Sequence, residues 1–204
     1  MLASINPLGE RSRSSRFAIT FTAYLVGSVA GGAALGGLLG LVGGGIDAVA
    51  PWSATTAAVV VVVMCVVALA LDTGVGGLRI PTIHRQVNED MLNEYREWAY
   101  GLSFGFQLGL AVVTIVTTAT VYLTFALAAL TGAWQAGLLV GGVFGLVRAL
   151  PMVLVARAYD PHHLRILFRR INSWAPIAYR GSLAVLIVAG SVAVAAIWRG
   201  STLG

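Results

Sequence analysis

Hydrophobic runs separated by short polar stretches make up most of the chain, and the longest uncharged run is Tyr100–Thr131. About twenty apolar residues already cross the hydrocarbon core of a bilayer. A straight helix over this run would measure roughly 48 Å against a core of about 30 Å, so it must tilt strongly, protrude or break. Four other runs are long enough to span, at about residues 17–45, 54–71, 134–156 and 181–198. With 100–131 they predict an all-α integral membrane protein of about five transmembrane helices. The expected layout is a cytoplasmic tail over 1–16, one transmembrane domain over 17–199 and a short tail over 200–204.

Between the runs lie two longer polar segments, 72–99 and 157–180, whose apolar positions keep a helical period. Ile80, Ile83, Val87, Met91, Tyr95 and Trp98 recur three or four residues apart in the first. In the second, Asp160-Pro161 reads as an N-cap followed by proline at the first helical position. Leu164, Leu167, Phe168, Ile171 and Trp174 then form a stripe. Both segments are expected to lie in the membrane plane as interfacial amphipathic helices, by anchoring alone or as a docking surface for a cytoplasmic partner. Leu78-Arg79-Ile80 with Arg85–Asn88 parallels Leu164-Arg165-Ile166 with Arg169–Asn172, which suggests a weak internal repeat.

Composition supports this class. The chain is 58% hydrophobic and 10% charged, where soluble domains carry about 25% charged residues. All basic residues are arginine, and all but Arg148 lie outside the middle of the spans, which argues against a nucleic-acid partner. Arg11, Arg13, Arg16, Arg79, Arg85, Arg96, Arg157, Arg165, Arg169, Arg170 and Arg180 fall on one side, and only Arg199 falls on the other. This predicts a bacterial cytoplasmic (inner) membrane protein with its N-terminus inside. Ser28-Val29-Ala30 resembles a cleavage site, but the apolar run continues to Gly45, so an uncleaved first helix is expected.

Three glycine ladders run at four-residue spacing: Gly32, Gly36, Gly40 and Gly44; Gly101, Gly105 and Gly109; Gly137, Gly141 and Gly145. Small residues so spaced let helix backbones approach closely, and the first and fourth spans are expected to pack on each other.

Polar residues inside spans mark candidate chemistry. Arg148 lies roughly 13 Å deep in the fourth span, where a charge is costly and calls for a function or a pairing. Gln107, Thr114 and Thr118 share one face of the third span. These four residues are the candidate substrate-binding or pairing set. A structural Arg148, bonded to carbonyls near Pro151 or reaching the headgroups, is the alternative. Asp160, His162 and His163 lack a further ligand at supporting spacing, so no metal site and no cofactor are expected. The single cysteine, Cys65, sits in a valine run and reads as a small buried side chain. No catalytic acid–base pair lies within the spans, so no enzyme is expected.

Leu78-Arg79-Ile80-Pro81, followed by Tyr100-Gly101-Leu102-Ser103-Phe104-Gly105-Phe106-Gln107-Leu108-Gly109, resembles the CcdA/DsbD-type thiol-electron transporters. The resemblance covers about a third of the chain. It implies a proline-containing amphipathic linker, a glycine-rich broken helix and an inverted repeat, commonly within six spans. The Pro-Cys pair of that family would fall near Val113-Thr114, where neither residue stands, and a second pair is absent from the first span. The resemblance therefore implies the architecture without the redox chemistry, and no functional residue carries over. The reading reached here is a carrier of a small or anionic solute in the bilayer. The alternative is a non-catalytic accessory or assembly subunit, working with other membrane subunits or as a homo-oligomer.

Overall fold

The computed structural model describes residues 17–75, 97–111, 119–156 and 161–202. The tail 1–16, most of the segment 72–99, and Thr114 and Thr118 lie outside the described residues. So do the Leu78–Asn88 half of the suggested repeat and the side chains of His162 and His163.

Among the described residues six helices follow in order: α1 (Phe17–Val49), α2 (Ala54–Thr73), α3 (Glu97–Gly109), α4 (Thr120–Leu130), α5 (Trp134–Ala156) and α6 (Pro161–Thr202). The protein is all-helical and membrane-spanning. By length and composition α1, α2, α5 and α6 each hold a segment able to cross a bilayer, and α4 is a shorter apolar helix. In lipid every backbone polar group needs an internal partner, which a helix supplies to itself. Outward-facing side chains such as Val63, Leu139, Val143, Val188 and Val192 are apolar and more than half exposed, as a lipid solvent favours.

Local chemistry sets the ends. The Ser53 hydroxyl accepts from Thr56 N–H at 3.1 Å and caps α2. Gly74, at φ 68°, closes the same helix in the left-handed conformation and donates its N–H to the Ala70 carbonyl. Between α1 and α2 the Asp47 carboxylate accepts from Trp52 N–H at 3.1 Å. The turn from α4 to α5 passes through Gly132, at φ 60°.

One expectation is resolved and one changes. The run 100–131 is not one helix. Of tilting, protruding and breaking, it breaks: α3 ends at Gly109, and Ala111 takes φ 55°. A helix about one and a half times the thickness of the hydrocarbon core is relieved by stopping and restarting. The segment 157–180 and the span 181–198 are also not separate elements. One helix runs from Pro161 to Thr202, and its membrane-competent part is Asn172–Arg199. Pro176 and Gly181, which on paper end a helix, sit inside it. Proline removes one backbone bond, and glycine costs only about 1 kcal/mol against alanine.

The chain forms two compact units, each built from three separated stretches. The first comprises Met1–Ala34, Ile83–Thr114 and Gly142–Ala175; the second comprises Leu35–Thr82, Ile115–Gly141 and Pro176–Gly204. In the first, Tyr24, Phe104, Ala149 and Met152 form the core, with Phe21, Leu25, Tyr100 and Leu108 against it. Tyr24 stacks on Phe104 with ring centroids 5.8 Å apart, and Tyr100 stacks on Phe104 at 6.1 Å. In the second, α2 packs on α4. Cys65, Ala68, Ala119, Leu123 and Leu186 form its core.

Candidate functional site

In the first unit, α1, α3 and α5 approach to backbone contact. A Cβ added at Gly101, Gly105 or Gly109 would collide with the carbonyl oxygen of Thr20, Tyr24 or Ser28 respectively. Both series rise together by four, so α1 and α3 run parallel there. Gly145 of α5 faces the Ser28 carbonyl from another side, and the Ser28 hydroxyl donates to the Gly145 carbonyl at 2.8 Å. Ser28 is fully buried. It is thus the point where α1 is bonded to α5 and also meets α3. Sequence reading noticed Ser28 only as part of a cleavage-like tripeptide.

Arg148 stands on the α5 face beside this contact. Its guanidinium carbon lies 5.7 Å from the centre of the Phe144 ring, within cation–π range. The residue is half-buried, and its Nε atom is shielded from solvent. The Tyr24 hydroxyl is close enough to interact with it electrostatically. Arg148 therefore has aromatic and hydroxyl company within its own unit. Gln107 is half-buried on α3, and its Nε2 donates to Ser103 Oγ at 3.4 Å, one turn back on the same helix. Of the expected four-residue set, Arg148 and Gln107 thus belong to one unit, each with a recorded contact on its own helix. Thr114 and Thr118 lie outside the described residues.

The remaining ladder glycines lie in the second unit, except Gly32, whose N–H borders Gly109 in the first. A Cβ on Gly36 would strike the Gly137 carbonyl and crowd Gly141. One on Gly40 would meet the Ala133 carbonyl at 2.6 Å, and one on Gly44 would strike the Gly132 carbonyl. Here α1 runs antiparallel to α5, since one series rises as the other falls.

The second unit also holds a polar junction that sequence reading did not single out. The residue preceding α4, Ala119, has no side chain able to cap the helix. Its N–H instead donates to Oδ1 of Asp72, from the end of α2, at 2.7 Å. The other carboxylate oxygen is buried and makes no hydrogen bond among the described residues. The Asp72 carbonyl in turn accepts from the Tyr179 hydroxyl of α6 at 2.8 Å. One residue thereby ties α2, α4 and α6. The available signal was an acid closing an apolar run.

Cys65, the sole cysteine of the chain, is 2% exposed and faces Gly190 of α6. Among the described residues no three of His, Cys, Asp and Glu come together as a metal site.

The family model described as the transmembrane region of cytochrome c biogenesis proteins matches residues 2–193. The chain is also similar to curated proteins named methylamine utilization protein MauF. The one from Methylophilus methylotrophus is 32% identical over 160 residues, covering 75% of this chain and 54% of the relative. The one from Methylorubrum extorquens is 28% identical over 202 residues, covering 95% of this chain and 66% of the relative. The chain spans about half the length of the first of these relatives. No solved structure matches it.

Proposed function

The chain belongs to the cytochrome c biogenesis transmembrane family, and from that premise we propose that it is a non-catalytic accessory protein of a bacterial membrane assembly system. It serves the maturation or placement of a redox protein by contact, without relaying electrons itself. One observation carries this reading: the family scaffold is present over most of the chain, while the chain contains a single cysteine, Cys65, sealed in an apolar core. A dithiol–disulfide couple needs two sulfurs, and attack requires an accessible thiolate. Neither condition is met within this chain. The relatives' name, methylamine utilization protein, supports a role in equipping a specific catabolic system. The inner membrane, with the N-terminus inside, is the location the arginine distribution supports.

A second reading, carriage of a small or anionic solute, draws on Arg148 within the membrane-competent part of α5. The engagement of Arg148 by Phe144 and Tyr24 favours a structural role for it.

Native mass spectrometry of the gently solubilised protein from its own host separates the two. The accessory reading expects a larger assembly that survives Cys65→Ala and is lost or weakened by Arg148→Ala. An isolated monomer with no partner, together with solute flux into proteoliposomes that Arg148→Ala abolishes, would refute it.

A further inference from the structure

The first turns of α6 carry a concentration of positive charge. Arg165, Arg169 and Arg170 fall within Pro161–Ala175, and the whole helix from Pro161 to Thr202 contains no Asp or Glu to offset them. These arginines stand just ahead of Asn172, where the membrane-competent part of the same helix begins. Arg165 and Arg169 are four residues apart and share a face. Leu167, Ile171 and Trp174 occupy register positions on the opposite side, with Leu164 and Phe168 at its margin. Arg169 is exposed, and Trp174, at the start of the span, is 55% exposed. Tryptophan in that position favours the headgroup level.

We propose that this stretch of α6 binds anionic phospholipid headgroups, so that the protein selects a phosphatidylglycerol- or cardiolipin-type surface rather than any bilayer. The chemistry is charge complementarity. Guanidinium groups form paired hydrogen bonds with phosphate oxygens, and Arg presents the donors in a fixed fork. A zwitterionic headgroup offers the same phosphate but cancels its charge. A charge that served only to orient the helix would work equally well with either lipid. Because the arginines and the span share one unbroken helix, the lipid bound there sits beside the point where the chain enters the membrane.

The test uses the full chain in detergent, titrated with phosphatidylglycerol or phosphatidylcholine and read by native mass spectrometry. Each juxtamembrane arginine contributes about fivefold in affinity for an anionic surface. Wild type should therefore retain phosphatidylglycerol roughly a hundredfold more tightly than phosphatidylcholine. The variant R165Q/R169Q/R170Q should lose that preference, and Arg199→Gln, at the far end of the helix, should keep it. Salt near about 1 M, where screening reaches only ~3 Å, should weaken the wild-type preference. Equal retention of the two lipids by wild type overturns the proposal, even if an acidic protein proves to bind the same arginines. A preference that persists in the triple variant also overturns it. Should the triple variant fail to fold, Arg169→Gln alone must lower the preference about fivefold, and a preference it leaves unchanged overturns the proposal.

Discussion

Replacing Asp72 by alanine removes the acceptor that holds the first turn of α4. The Ala119 N–H it satisfies belongs to a residue with 0% exposure, so water cannot take over the bond. Losing an N-cap costs about 0.5–2 kcal/mol. Leaving a buried donor unsatisfied costs about 1–3 kcal/mol. The two describe one event, so the expected loss is about 2 kcal/mol rather than their sum. The loss is local, because the bond fixes where α4 starts and not whether it packs. Hydrogen exchange of the full chain in nanodiscs, followed by mass spectrometry on peptides covering 119–123, reads it directly. At about 1.4 kcal/mol per tenfold, the protection of these amides should fall roughly thirtyfold in Asp72→Ala. Asp72→Asn keeps a carbonyl oxygen at the same place, and asparagine is as good a cap, so its protection should fall only a few-fold. Tyr179→Phe, which removes the hydroxyl bonded to the Asp72 carbonyl, should give a smaller loss in the same peptides. Unchanged protection in Asp72→Ala would show that α4 is held by packing alone, and the capping argument would fail.

Other substitutions test the remaining packing. Gly145→Ala places a methyl group against the Ser28 carbonyl and should cost about 1–3 kcal/mol of stability. Gly45→Ala, where nothing lies within 4 Å, should be near neutral or slightly stabilising; thermal unfolding in detergent compares the two. Ala111→Gly relieves a left-handed backbone of about 1 kcal/mol and should raise the unfolding midpoint; a lowered midpoint would show that the alanine methyl contributes more through its burial. Cys65 should resist alkylation in the folded protein and react fully once denatured, as counted by intact mass; rapid labelling of the native form would contradict its burial.

Much of the helical layout was legible because it depends on local pattern. Uncharged runs mark the spans, and the four-residue glycine spacing marks the surfaces where α1 meets its neighbours. The excess length of 100–131 pointed to the discontinuity that Ala111 now locates. Pairings far apart in sequence were not legible. Ser28 and Gly145 are 117 residues apart, and Asp72 and Tyr179 are 107 apart, with no pattern to connect them. The uninterrupted α6 was missed for a different reason. Proline and glycine are read as helix ends by their cost in water, but inside an apolar helix the alternative conformations leave more backbone groups unsatisfied. Arg148 was found as a buried charge. Its aromatic neighbour Phe144 stands four residues back on the same face of α5, a contact that the helical period alone places.

The matched series Thr20–Gly101, Tyr24–Gly105 and Ser28–Gly109 limits how α1 and α3 can move past each other. A slip of four residues, about 6 Å, would bring Gly101 to Tyr24 and Gly105 to Ser28 but would set Glu97, which is not glycine, against Thr20. The glycine series therefore admits one register of the pair. Spin-label distances between the two helices should show a single value; a continuous spread would rule the fixed register out.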